Sequence, residues 1–164
     1  MTKPAAPPKP ELRQHVAALL RGGAAHATLE QALSGLSAAV AGKRPPRTPY
    51  SCWQLLEHLR IAQHDILEFT RDPAWQSPSW PEGYWPPTSA PPSAAAFRRS
   101  RLSVIADRDA MLALILDPAQ DLLAPLPHAP DRTLLREALL LADHSAYHVG
   151  QIALVRKLLG DWPG

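Results

Sequence analysis

The stretch YSCWQLLEHLRIAQHDILEFTRD, residues 50–72, reads as one long helix and sets the fold class. It holds no proline. Its apolar residues fall at Trp53, Leu55, Leu56, Leu59, Ile61, Ala62, Ile66, Leu67 and Phe69, close to a stripe of 3.6-residue period. Ser51 stands ahead of the stripe as an N-cap, whose side-chain oxygen can take an otherwise unpaired backbone N–H.

Proline marks where other helices can lie. The nineteen prolines fall at residues 4–10, 45–49, 73–92, 118–130 and 163. Each would cost about 3 kcal/mol inside a helix, so the proline-free stretches 11–44, 50–72, 93–117 and 131–162 are the helical segments. The third carries Phe97, Val104, Ile105, Met111, Leu112, Ile115 and Leu116, with Ser93 as its cap. The last opens at Asp131 or Thr133, runs through Leu134, Leu141, Ile152, Val155 and Leu159, and meets Gly160 as a stop. Gly22-Gly23 divides the first stretch into helices over 11–21 and 28–40, the second opened by a capping box from Thr28 to Gln31. Strand signals are weak, because no run of β-branched and aromatic residues alternates with polar ones. The expected architecture is all-α: an antiparallel four-helix bundle with an extra short helix and a long proline/aromatic loop. Residues 1–10 are expected as a flexible Pro/Ala-rich tail ahead of a bundle domain over 11–164.

A chain of 164 residues and 17.9 kDa is one domain long. Its single cysteine, Cys52, excludes an intrachain disulfide and any multi-cysteine metal cluster. A charged fraction of 20% against 46% hydrophobic residues argues for a packed globule. The net charge of +2 is too small to call for a nucleic-acid partner. No apolar run approaches the roughly 18 residues of a membrane span, and MTKPAAPPKP has no apolar leader region. The expectation is a cytoplasmic protein with neither a membrane nor a nucleic acid as partner.

Several chemistries have no motif here. There is no phosphate-binding GxxxxGK[ST], no GxGxxG, no GxSxG elbow and no HExxH. None of the six glutamates has a histidine three residues on, which removes the Glu-x-x-His signature of di-iron bundles. Histidine remains. His144 and His148 are four residues apart, about 40° of rotation and about 6 Å of rise on a helix, so both rings leave one face. Gln151 follows on that face. His58 borders the apolar stripe of the 50–72 helix, and an inward imidazole without a partner costs about 1–3 kcal/mol. If the two helices are neighbours, His58, His144 and His148 meet as three imidazoles with an open fourth position, the pattern of a catalytic-type zinc site. Imidazole ligation equally suits nickel, copper and iron.

Two segments carry a family resemblance. Trp53-Gln54-Leu55-Leu56-Glu57-His58-Leu59 is similar to a W-x-x-x-E-H-L helix. Asp143-His144-Ser145-Ala146-Tyr147-His148-Val149-Gly150-Gln151-Ile152 is similar to a D-H-x-x-Y-H-x-x-Q-I/L ending. Both resemble the DinB-like family of metal-binding four-helix-bundle proteins, which includes the YfiT-like thiol transferases. The resemblance implies His58, His144 and His148 as the metal ligands, zinc or nickel as the ion, and homodimers packed through helices. It does not imply one reaction. The expected function is a metal-dependent transferase or hydrolase acting on a small substrate, a thiol among them; the alternative is a non-catalytic metal-binding or protein-interaction bundle. Gln151 and Tyr147 are the expected supporting residues around the ligands.

Other conspicuous residues have plainer readings. His15, His26 and His128 read as surface histidines, His64 and Asp65 as solvated or structural, and Cys52 as a packing residue. Arg98, Arg99, Arg101 and Arg108 read as a solvated helix face. Residues 72–93 hold seven prolines with Trp75, Trp80, Tyr84 and Trp85, a connection longer than the 2–8 residues usual between packed helices. Stiffened by proline, it reads as an ordered strap, with Trp80 and Trp85 packed down as a cover, a pocket wall or a dimer contact.

Overall fold

The helix over residues 50–72 forms as its sequence demands. In the computed structural model, which describes residues 10–163, Ser51 Oγ accepts from the Gln54 amide while Gln54 Oε1 accepts from the Ser51 amide. The pair closes a capping box. There are six α-helices among the described residues: α1 (Pro10–Arg21), α2 (Leu29–Leu33), α3 (Ala38–Ala41), α4 (Cys52–Arg71), α5 (Ala94–Leu116) and α6 (Leu134–Leu158). Four of them pack side by side, α4 against α5 and α6, and α1 against the same two. The chain is all-α in character, and no helix among the described residues is long and apolar enough to cross a membrane.

The antiparallel order does not hold for α4 and α5. Trp53 lies beside Phe97, Gln63 donates to the Val104 carbonyl, and His64 meets Asp107, so positions rise together along both helices. These two run in the same sense. Against α6 the order reverses, with Cys52 near Ile152 and Gln63 near Ser145. A parallel pair needs a return crossing. That is what the long proline/aromatic segment supplies: it leaves the end of α4 and comes back to its start, where the Ser51 hydroxyl donates to the Ser89 carbonyl.

Other boundaries shift for local reasons. Residues 28–40 are not one helix, because Gly35 adopts φ +70° and the chain restarts at Ser37, the N-cap of α3. The Thr28–Gln31 capping box is present. The break frees carbonyls, and the buried guanidinium of Arg156 takes two of them, Ala32 O and Ser34 O, each at 2.8 Å. Arg13 does the same at the end of α5, donating to Ile115 O at 2.7 Å. The last helix starts at Leu134 because Ala129–Thr133 (β2) pairs antiparallel with Pro125–Leu126 (β1), a short hairpin absent from the sequence reading. Thr133 caps the helix; Gly160, at φ +68°, ends it, with Asp161 N bonded to Arg156 O and Gly160 N to Lys157 O.

Within that hairpin His128 is not a free surface group. Its Nε2–H donates to Phe69 O at 2.7 Å, a carbonyl in the last turn of α4 that would otherwise lack a donor. Pro10, expected in the tail, is the first residue of α1, where a missing N–H costs nothing. The rest of the tail, residues 1–9, lies outside the described residues.

The apolar core forms two clusters, one around Leu56, Leu59, Phe97 and Ile152, the other around Leu67, Met111, Ile115 and Leu141. Gln63 falls between them in sequence on α4, and Ser145 does so on α6. Replacing Arg156 by methionine should keep its bulk but orphan the carbonyls of Ala32 and Ser34. Unfolding in urea should show a loss of about 2–6 kcal/mol, since each orphaned buried group costs about 1–3 kcal/mol. A change within about 0.5 kcal/mol would mean that water replaces the guanidinium.

Candidate metal centre

Helices α4 and α6 bring His58, His144 and His148 together. His144 Nε2 lies 3.1 Å from His58 Nε2 and 3.1 Å from His148 Nε2. One nitrogen from each of the three rings falls within 4.8 Å of the others. His58 and His148 are buried, and His144 is half-buried.

The outer nitrogens decide what the inner ones can do. His58 Nδ1 lies 2.8 Å from the Tyr84 carbonyl, which only accepts, so Nδ1 carries the proton. His148 Nδ1 donates to Gln151 Oε1 at 2.7 Å. A neutral imidazole has one N–H, so both Nε2 atoms present lone pairs to His144. His144 Nε2 can donate to at most one of them. At least one contact then sets lone pair against lone pair, which a cation between the rings would relieve.

Burial keeps the rings neutral. Removal from water, then repulsion from charge on His148 and His58, pushes His144 down to about 3. Removal from water and the His58 charge push His148 down to about 4, against the Gln151 hydrogen bond. His58 is lowered too, by burial working against its bond to Tyr84 O. Neutral imidazole is the ligating form, so the cluster needs to lose no proton to take a metal at neutral pH. The donor set fits the group. Tetrahedral zinc with bonds of about 2.0–2.1 Å holds its ligand nitrogens about 3.3 Å apart, near the two 3.1 Å spacings that His144 makes, with the His58–His148 spacing inside 4.8 Å.

The family model described as DinB superfamily matches residues 23–152. The chain belongs to the DinB superfamily. The matched span contains all three histidines and Gln151. No curated protein and no solved structure matches the chain.

Around this DinB-superfamily cluster the other expected residues divide. Gln151 orients His148 directly. Tyr147 is 64% exposed and only sets its ring edge-on to His148, with centroids 5.0 Å apart. From the strap, Trp85 stacks on the His58 ring at 4.0 Å and 5°, and on Tyr50 at 4.2 Å. Trp80, expected to pack down, is 74% exposed. His64 stays apart, with Nδ1 3.2 Å from Asp107, and Arg108 on the basic face pairs with Glu30 and Asp109. Cys52 is fully buried and its thiol is pushed up to about 12 by burial, so it is a packing residue. The Tyr84 carbonyl escaped the sequence reading because a backbone acceptor leaves no mark in residue type. Asp65 is structural as read, but its partners, Trp75 and Tyr84, lie on the strap.

The depressed histidines give a sign for the effect of pH. In the metal-free protein the unfolded chain takes up protons from about pH 6.5 downward while the folded cluster resists. Stability therefore falls as pH drops below about 6.5 and keeps falling toward the folded values, about 4 for His148 and about 3 for His144. Urea titrations of chelator-treated protein at several pH values should show this loss, and His144→Ala should flatten it. An unchanged slope in His144→Ala would show that other groups carry the acid sensitivity.

Proposed function

We propose that His58, His144 and His148 hold one divalent cation, zinc or nickel, and that the protein is a cytoplasmic, single-domain metal-dependent transferase or hydrolase for a small substrate such as a thiol. The observation that carries this is the convergence of three Nε2 atoms, two of them turned inward as lone pairs by Tyr84 O and Gln151 Oε1. Among the described residues the cluster has three such ligands and no fourth, which supports an open position over a closed structural site. When bound, such an ion supplies a Lewis acid that lowers the pKa of a water or thiol at that position.

The residues around it would shape the ligand. Trp85 and Tyr50 form an aromatic wall beside His58 and keep water from that face. A cavity of about 110 Å³ shares Gln151 with the cluster and is lined by Thr48, Pro49, Tyr50, Leu55, Leu154 and Val155. It has no charged side chain, so it suits a small uncharged moiety. The self-association expected of the family also has support. Leu140, Tyr147, Leu154 and Leu158 are exposed and fall within about 40° of one another around α6, an apolar stripe that a second copy would cover.

Elemental analysis of protein purified without an affinity tag or chelator should find about one zinc or nickel per chain. His144→Ala should lose it with helicity unchanged by circular dichroism, and His64→Ala should keep it. Stoichiometric metal in His144→Ala would overturn the ligand assignment. Thiol transfer or hydrolysis by loaded wild type, absent in His144→Ala, separates the enzyme from a metal-binding bundle without activity. Sedimentation should report a dimer that Leu154→Glu turns into monomer; a wild-type monomer removes the self-association.

A further inference from the structure

His148 is oriented from within its own helix, by Gln151. His58 is not. Its edge bonds the Tyr84 carbonyl and its face lies against Trp85, so its orientation depends on where the strap places two consecutive residues. The strap has little regular structure to hold it there, only the short 3₁₀ turn Glu82–Tyr84. Its side-chain anchors on α4 come chiefly from one group. Asp65 Oδ1 accepts from Trp75 Nε1 at 2.8 Å, and Asp65 Oδ2 accepts from the Tyr84 hydroxyl. Both bonds are to a carboxylate, the stronger kind.

We propose that Asp65 is a positioning residue for the histidine cluster: through Tyr84 it seats the strap on α4 and sets His58 with its Nδ1 proton outward and its Nε2 lone pair toward His144 and His148. Asp65 lies seven residues from His58, about 10 Å along the helix, too far to touch the ring. Tyr84 closes that distance. Its hydroxyl reaches Asp65 while its own carbonyl reaches His58 Nδ1, so one residue reads both ends of a two-turn span. The same seating delivers Trp85 onto the His58 face, and Tyr50 closes the stack from the other side. Asp65 thus acts on the ring through its edge and its face at once. The value of this to the protein rests on the metal reading above. The effect on the ring does not.

The test uses the full chain. In metal-free protein, long-range proton–nitrogen spectra of the imidazoles should show wild-type His58 as the Nδ1–H tautomer. Asp65→Ala and Tyr84→Phe should each shift it to a mixture; Tyr84→Phe deletes one hydroxyl and keeps the carbonyl, the milder change should Asp65→Ala not fold. In chelator competition with zinc, both variants should bind about 10–100-fold more weakly than wild type at unchanged stoichiometry. Ser51→Ala, which removes the anchor to Ser89 at the far end of the strap, should lower stability without moving the tautomer. If Asp65→Ala and Tyr84→Phe lose stability while tautomer and zinc affinity stay as in wild type, Asp65 is an anchor only and the proposal fails. If wild type binds no zinc yet the tautomer shifts, the positioning role stands and the metal reading falls.

Discussion

Two neighbouring helices that run the same way cannot be joined by a short turn. Helix α4 has 20 residues and is therefore about 30 Å long, and the chain must cover that length outside the helices before α5 can begin beside the start of α4. A connection of about 20 residues is the direct consequence. It must also be stiff enough to hold one path. Seven prolines restrict the backbone, and aromatic side chains give it something to bury. Because the return path runs along α4, it passes over His58. The cover on the cluster is thus a by-product of the helix order, put to use by Tyr84 and Trp85.

The same helix order concentrates polar groups where apolar ones would be expected. Arg13 and Arg156 are buried, yet neither guanidinium lacks hydrogen-bond partners. Each guanidinium is spent on backbone carbonyls that a helix end leaves free, and Arg156 also meets Asp161 at 2.9 Å. Gln63, 2% exposed, joins three of the four packed helices by donating to Val104 O on α5 and accepting from Ser145 on α6. Such ties cost little when satisfied and much when broken, so they fix the register of α4 against its neighbours. That register carries His58 to the level of His144 and His148.

The cluster itself combines two opposed tendencies. Burial disfavours charge on any ring, and the outer hydrogen bonds turn two lone pairs inward. Protonation would ease the crowding of lone pairs, but it would place a charge in a poorly solvated site beside two more rings. A divalent cation between the rings would resolve the conflict without adding a proton, which is why the cluster suits metal binding.

Much of this is carried by local chemistry, and local chemistry is written along the chain. The caps at Ser51, Thr28, Ser93 and Thr133, the stop at Gly160 and the proline-free spans depend on residues a few positions apart, so the helices were legible from sequence alone. The shared face of His144 and His148 follows from the same short-range geometry. The break at Gly35 was not legible, since Arg156 stabilises it from more than a hundred residues away, and neither was the strand pairing that selects Thr133 over Asp131 as the opening of α6. The direction of α5 relative to α4, the seating of the strap, and the pairing of Asp65 with Tyr84 were decided only in the tertiary structure. Each rests on a contact between distant residues or on a backbone carbonyl, and neither leaves a periodic trace in residue type.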